Sequence, residues 1–171
     1  MRTITVHTDV YRFDELSDDA KRKAIENLYD INVSFDWWDP TYHDAGNIGC
    51  KIHEFDTSRK NDIRLTCDDA RKTADLILGN HGEMCDTYKL AEQYRKDFDA
   101  LTQDEDGELL HQDELDAEFE RALGEEYFSI RRQEYEYLTS EKAIIETIEA
   151  NEDEFTEDGK ISQTLKGGTR S

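Results

Sequence analysis

Five apolar side chains, Leu115, Phe119, Leu123, Tyr127 and Ile130, recur three or four residues apart through and just beyond the stretch QDEDGELLHQDELDAEFERALGEEYF, residues 103–128. That spacing puts them on one side of an α-helix. The same stretch holds eleven carboxylates and one arginine. A helix built this way has to bury its stripe against another element and leave the acids around it. Acidic tails that stay unfolded lack such a stripe, so this block is read as folded.

The charge is unevenly placed. Residues 1–96 carry 19 acidic and 14 basic side chains, residues 97–158 carry 23 and 4, and the last 13 residues add three cations, for a net charge of −21. Phosphate would be repelled by the acidic block, so direct nucleic-acid binding is disfavoured. Basic partners would be drawn in through the screened field. No run approaches the roughly 18–20 apolar residues of a membrane span. The alternation in MRTITVHTDVYRF is unlike a secretory signal. Three irregularly spaced cysteines make no disulfide framework. The expectation is a cytoplasmic protein in a reducing compartment.

Along the chain, Thr3–Phe13 reads as a half-buried strand with Ile4, Val6 and Val10 on one face. Ser17 is placed to cap a helix whose stripe is Ala20, Ala24, Leu28 and Ile31. Asp36 or Asp39 is placed to cap a second helix, with Pro40 in its first turn and Gly49 at its end. Residues 50–67 read as a hairpin around SRKN, with Ile63, Leu65 and Cys67 on one face. Thr66 and Asp69 suggest a capping box for a third helix ending near Gly79 to Gly82. A fourth starts near Asp86 with Tyr88, Ala91, Tyr94, Phe98 and Leu101 inward, and Asp106–Gly107 breaks it. Acidic helices are expected over 104–128 and 134–158, with a break at Thr139–Ser140 and Ile144, Ile145 and Ile148 inward in the last. TEDGKI is a turn and short strand, and 161–171 a flexible tail. The expected fold is α+β: one mostly helical domain over residues 1–160 with a small antiparallel sheet, and 97–158 as its acidic half.

YRFDELSDDAKRKAIENL, DWWDPTYHDAGNIG, KIHEFD and EYEYLTSEKAIIETIEANEDEFTEDGK, in that order, resemble a family of small acidic proteins encoded by phages and prophages. Some of its members carry the label of antitoxin in a toxin–antitoxin stability system. The resemblance covers most of residues 3–160 and implies a phage context, where small acidic proteins often inhibit host nucleic-acid enzymes. It carries no functional residue with it.

The residues themselves suggest where a partner would bind. Carboxylates three or four apart on a helix lie about 5–6 Å from each other and repel by about 0.2–0.5 kcal/mol per pair. Solubility requires a net charge of only about 2–8 in magnitude, so the excess is read as serving recognition, against the plainer reading of a solvated face. Asp113, Asp116 and Glu120 form one line and Glu114 and Glu118 its neighbour, with Glu125 and Glu126 beyond. Such lines can imitate a phosphate track. Trp38, Tyr42 and Ala45 share one helical face assigned to the core, while Trp37 is either core rim or a partner-contact aromatic. Cys50, His53, His81 and Cys85 give a two-plus-two count for tetrahedral zinc. However, Cys50 and His53, three apart in a strand, point to opposite faces, so no metal site and no cofactor is expected. No catalytic motif is present, and so many carboxylates make any acid–base pairing uninformative.

The function expected is non-enzymatic: an inhibitory protein in the host cytoplasm that occupies the nucleic-acid-binding surface of a host defence or DNA-processing enzyme, in the manner of anti-restriction or anti-CRISPR DNA mimics. The alternative is an antitoxin or regulator that neutralises a basic partner through a shaped interface including Trp37, Tyr135 and Tyr137. The sequence sets no oligomeric state.

Overall fold

A computed structural model of the chain describes Arg2 and residues 7–55 and 63–162. Its elements, in order, are β1 (Tyr11–Arg12), α1 (Asp18–Asn27), α2 (Asp39–Asn47), β2 (Cys50–Phe55), β3 (Ile63–Cys67), α3 (Ala70–Asn80), α4 (Asp86–Asp99), α5 (Gln112–Leu138), α6 (Glu141–Ala150) and β4 (Glu154–Phe155), with a 3₁₀ turn at Phe13–Glu15. Helices dominate, and the strands form two antiparallel pairs, β1–β4 and β2–β3. The fold is α+β and mostly helical. The chain packs as two compact units, one of residues 1–37 and 135–171 and the other of residues 38–134.

In the first unit Phe13, Leu16, Ala20, Ala24, Ile144, Ile148 and Phe155 form the core, with Leu28, Ile31 and Ile145 packed at its edge. Ser17 caps α1 by accepting from the Ala20 N–H, and Ser140 caps α6 by accepting from the Ala143 N–H. Among the described residues of the strand read over Thr3–Phe13, only Tyr11 and Arg12 pair, with Phe155 and Glu154, and Val10 is 38% exposed. Residues 3–6 lie outside the described residues. Helix α1 stops at Asn27, so Leu28 and Ile31 reach the core from the turn that follows it. The Asn32 amide donates to the Leu138 carbonyl at 3.0 Å and accepts from the Thr147 hydroxyl at 2.7 Å. This satisfies a buried polar side chain that would otherwise be costly. Glu154–Phe155 and the Phe155–Ile161 bridge supply the short strand expected near TEDGKI. The tail from residue 163 lies outside the described residues.

The second unit has a core of α2, the β2–β3 hairpin, α3, α4 and the first six turns of α5. Ile48, Leu65, Ala74, Ile77, Ala91, Tyr94, Phe98, Phe119, Leu123 and Tyr127 are all buried there. Pro40 sits in the first turn of α2 as expected. The cap position, though, is held by Trp38, whose side chain makes no capping bond, so neither Asp36 nor Asp39 caps that helix. Asp69 is itself the N-cap of α3, accepting from the Lys72 N–H. Thr66 remains in β3, where its hydroxyl hydrogen-bonds His53. The capping box is therefore replaced by a single cap. The hairpin turn lies outside the described residues.

Segment 104–111 is a turn, not a helix. The Asp104 carboxylate accepts from the N–H groups of Asp106 and Glu108, and Gly107 and His111 both have positive φ. An aspartate folded back on its own backbone in this way competes with helix formation. The acidic helix starts at Gln112 and runs unbroken to Leu138, ten residues past 128. Thr139 and Ser140 then separate it from α6, which ends at Ala150.

Candidate functional site

The acidic helix α5 uses its carboxylates in two different ways. Its stripe is buried at Phe119, Leu123 and Tyr127, with Leu115 half-buried and Ile130 largely exposed at the ends. Two of the acids expected to form a recognition line lie beside that stripe and have partners within the unit. Asp116 accepts from the Tyr94 hydroxyl at 2.6 Å and from Gln112 at 3.4 Å. Glu120 accepts from the Cys67 backbone N–H at 2.8 Å. That N–H lies on the outer edge of β3, where an antiparallel strand leaves alternate groups unpaired. The line Asp113–Asp116–Glu120 is thus not a surface line, because half-burial of the last two puts them in structural hydrogen bonds.

The neighbouring line faces water. Glu114, Glu118, Arg121 and Glu125 follow one another at four, three and four residues, and all are exposed, as is Asp113. Arg121 interrupts the acids and pairs with Glu125 at 2.8 Å, while His111 lies 3.0 Å from Glu114. These are exposed pairs and add little to stability.

At the far end of this line a groove of about 400 Å³ opens between α4 and α5. Leu90 and Ala122 give it an apolar floor, Asp86, Glu125 and Glu126 an acidic rim, and Lys89 is its one lining cation. Lys89 bonds Asp86 at 2.7 Å. Partial burial pushes the Glu126 carboxyl above its ordinary range and Asp86 pushes it further, with Lys89 opposing. A groove of this kind accepts the methylenes of a lysine or arginine on its floor and the cationic head at its rim. Sequence reading found Glu125 and Glu126 but missed Asp86 and Lys89. They come from another helix, and spacing along one helix carries no signal for them.

Trp37 is 8% exposed and its ring lies 5.7 Å from that of Tyr135, tilted by 42°, so it presents little surface to a partner. Its neighbours Trp38 and Tyr42, expected in the core, are not buried there. Tyr42 is 38% exposed and Trp38 is half-buried, because the Arg131 guanidinium lies over the Trp38 ring at 5.5 Å and hydrogen-bonds Tyr42. Only Ala45 of that face is core.

The four candidate zinc ligands do not converge. The Cys50 side chain is buried, while His53 is exposed against Thr66 beyond a bulge between Ile52 and Glu54. His81 bonds Thr87 at 2.8 Å, and Cys85 is exposed. Among the described residues no three His, Cys, Asp or Glu side chains gather as a metal site, and no helix is long and apolar enough to cross a membrane. Comparison with protein-family models, curated proteins and solved structures finds no match to this chain.

Proposed function

We propose that this chain is a phage-encoded inhibitory binding protein whose acidic helix α5 occupies the basic, nucleic-acid-binding surface of a host defence or DNA-processing enzyme. One observation carries the reading: Asp113, Glu114, Glu118 and Glu125 are exposed along one length of α5, while Asp116 and Glu120 are turned to structural work. From Asp113 to Glu125 the helix rises about 18 Å, a length comparable with half a turn of duplex DNA. The groove at the Glu125 end, with its apolar floor and acidic rim, would hold a basic side chain of the same partner. Attraction of this kind acts mainly on encounter rate and weakens with salt.

The test compares the protein with a variant carrying Asp113→Asn, Glu114→Gln, Glu118→Gln and Glu125→Gln. Each is immobilised and loaded with bacterial lysate at low salt, then washed with duplex DNA. The expected result is a nucleic-acid enzyme retained by the parent, released by DNA and lost from the variant, with the variant melting no lower than the parent. Equal retention by parent and variant, indifferent to DNA, would overturn the proposal.

A second reading, a shaped interface of the antitoxin type, is favoured by the exposed aromatics of the first unit. Tyr29, Phe35, Tyr135 and Tyr137 are all more than 40% exposed. In that case truncating Tyr29, Phe35 and Tyr137 would abolish capture, and neutralising α5 would spare it.

A further inference from the structure

We infer that Cys50 and Cys67 form a reversible cross-strand disulfide, which makes the β2–β3 hairpin a peroxide-responsive element of the second unit. The two residues are direct partners in the antiparallel register, and both are free thiols. The Asp68 N–H donates to the Gly49 carbonyl at 3.0 Å, a bond that flanks the Cys50–Cys67 pair on its outer side. Bonded and non-bonded pairs alternate along an antiparallel ladder, so Cys50 and Cys67 form a non-hydrogen-bonded pair. In such pairs the Cα atoms are about 4.5 Å apart and the side chains closest. Disulfides span Cα separations of about 4.4–6.8 Å, so the bond can form with little backbone movement. The direction of the Cys67 N–H agrees: it turns away from β2 and donates to Glu120.

The side chains meet on the inner face of the hairpin, where Ile52 and Leu65 are buried. The Cys50 thiol donates to the Thr73 hydroxyl at 3.8 Å. The neighbouring Cys67 thiol holds the Cys50 thiol below its ordinary pKa against the opposing effect of burial, and the Cys50 thiol together with burial pushes Cys67 up. The two thiols titrate together, so either sulfur can attack and the other resolves.

Hydrogen peroxide is the oxidant whose size suits two sulfurs this enclosed. One thiolate of the pair attacks one peroxide oxygen, the O–O bond breaks, and the departing hydroxide takes a proton and leaves as water. The second sulfur then displaces the hydroxyl of the sulfenic acid so formed, which leaves as a second water with the second thiol's proton. Two thiols lose two electrons and one peroxide gains them. A dithiol such as dithiothreitol reverses the bond by exchange.

The test uses the full chain with Cys85→Ser, so that only Cys50 and Cys67 remain. The reduced protein is treated with hydrogen peroxide, quenched, denatured and labelled with a maleimide. The expected result is loss of both labelling sites together, a mass lower by two hydrogens, a monomer on a non-reducing gel and a peptide linking Cys50 to Cys67. Dithiothreitol should restore both sites. The parent, treated alike, should keep one labelled thiol, at Cys85. Adding Cys67→Ser or Cys50→Ser removes the partner thiol and should abolish the linked peptide; if those variants do not fold, the Cys85→Ser chain decides alone. Two labelled thiols after peroxide, or sulfinic acid with no linked peptide, would overturn the inference.

Discussion

Gly159 leaves no room for a side chain. Its φ is +81°, and a Cβ there would lie 2.3 Å from the Ala20 carbonyl oxygen in helix α1. Gly107 has a similar φ of +86° with nothing within 4 Å of the same position. Alanine at 107 meets only the left-handed backbone penalty, about 1–2 kcal/mol. At 159 it meets that penalty and a collision with backbone, about 3 kcal/mol or more in total. Urea unfolding of Gly159→Ala and Gly107→Ala should show that order, and equal losses would mean the turn at 159 moves away freely. Glu126 sets a second test at this scale. Its carboxyl is raised in the fold by burial and by Asp86, so the folded state favours the protonated form. A raised pKa gives stability that is present below the unfolded value, about 4.3, and is lost as pH climbs through the folded one. Glu126→Gln should thus be more stable than the parent at pH 7, with the gap closing below about pH 4. A gap that persists in acid would point to a packing effect instead.

Within helix α5 the position of an acid decides whether it can be spared. Glu120 holds the edge N–H of Cys67, and removing the acceptor leaves a half-buried donor unpaired. Glu120→Ala should cost about 1–3 kcal/mol. Glu118→Ala, one turn-face away and exposed, should stay within about 0.5 kcal/mol of the parent. Thermal melts of the two variants check this, and equal midpoints would deny Glu120 its structural role. The contrast also shows what sequence can disclose. The caps at Ser17, Asp69 and Ser140 are local devices, each bonding a backbone group three residues on, and a short window is enough to suggest a cap nearby. The stripe of α5 is likewise periodic along one helix. The partners of Asp116 and Glu120 lie on α4 and β3, so spacing along α5 could not separate these acids from Glu114 and Glu118. The helix start was misplaced for a similar reason. Asp104 looks like one more acid of a run, and only its bonds to Asp106 and Glu108 reveal a turn.

Over the whole chain the charge of −21 acts against compaction as well as for recognition. The Trp37–Trp38 pair and the two-unit packing depend on contacts between distant segments, which composition does not encode, but net charge is fully legible in the sequence. Among the described residues the ion pairs are mostly exposed contacts three or four residues apart on one helix, such as Arg22–Asp19, Lys96–Glu92 and Arg121–Glu125. Such pairs offset only their own charges, so the surplus of carboxylates repels itself over longer distances. Salt screens that repulsion: raising ionic strength from about 0.01 M to about 0.15 M shortens the Debye length from about 30 Å to about 8 Å. The pairs weaken as well, but acids outnumber bases two to one across the chain. The unfolding midpoint should therefore rise by several degrees over that range and then level off, as followed by circular dichroism at pH 7. The variant with Asp113, Glu114, Glu118 and Glu125 neutralised should start higher at low salt and gain less from added salt, because part of the repulsion is already gone. A midpoint that falls with salt in both proteins would mean that attractive pairs dominate the surface. In that case the acids of α5 would be balanced within the fold, leaving no unbalanced field to draw in a basic partner.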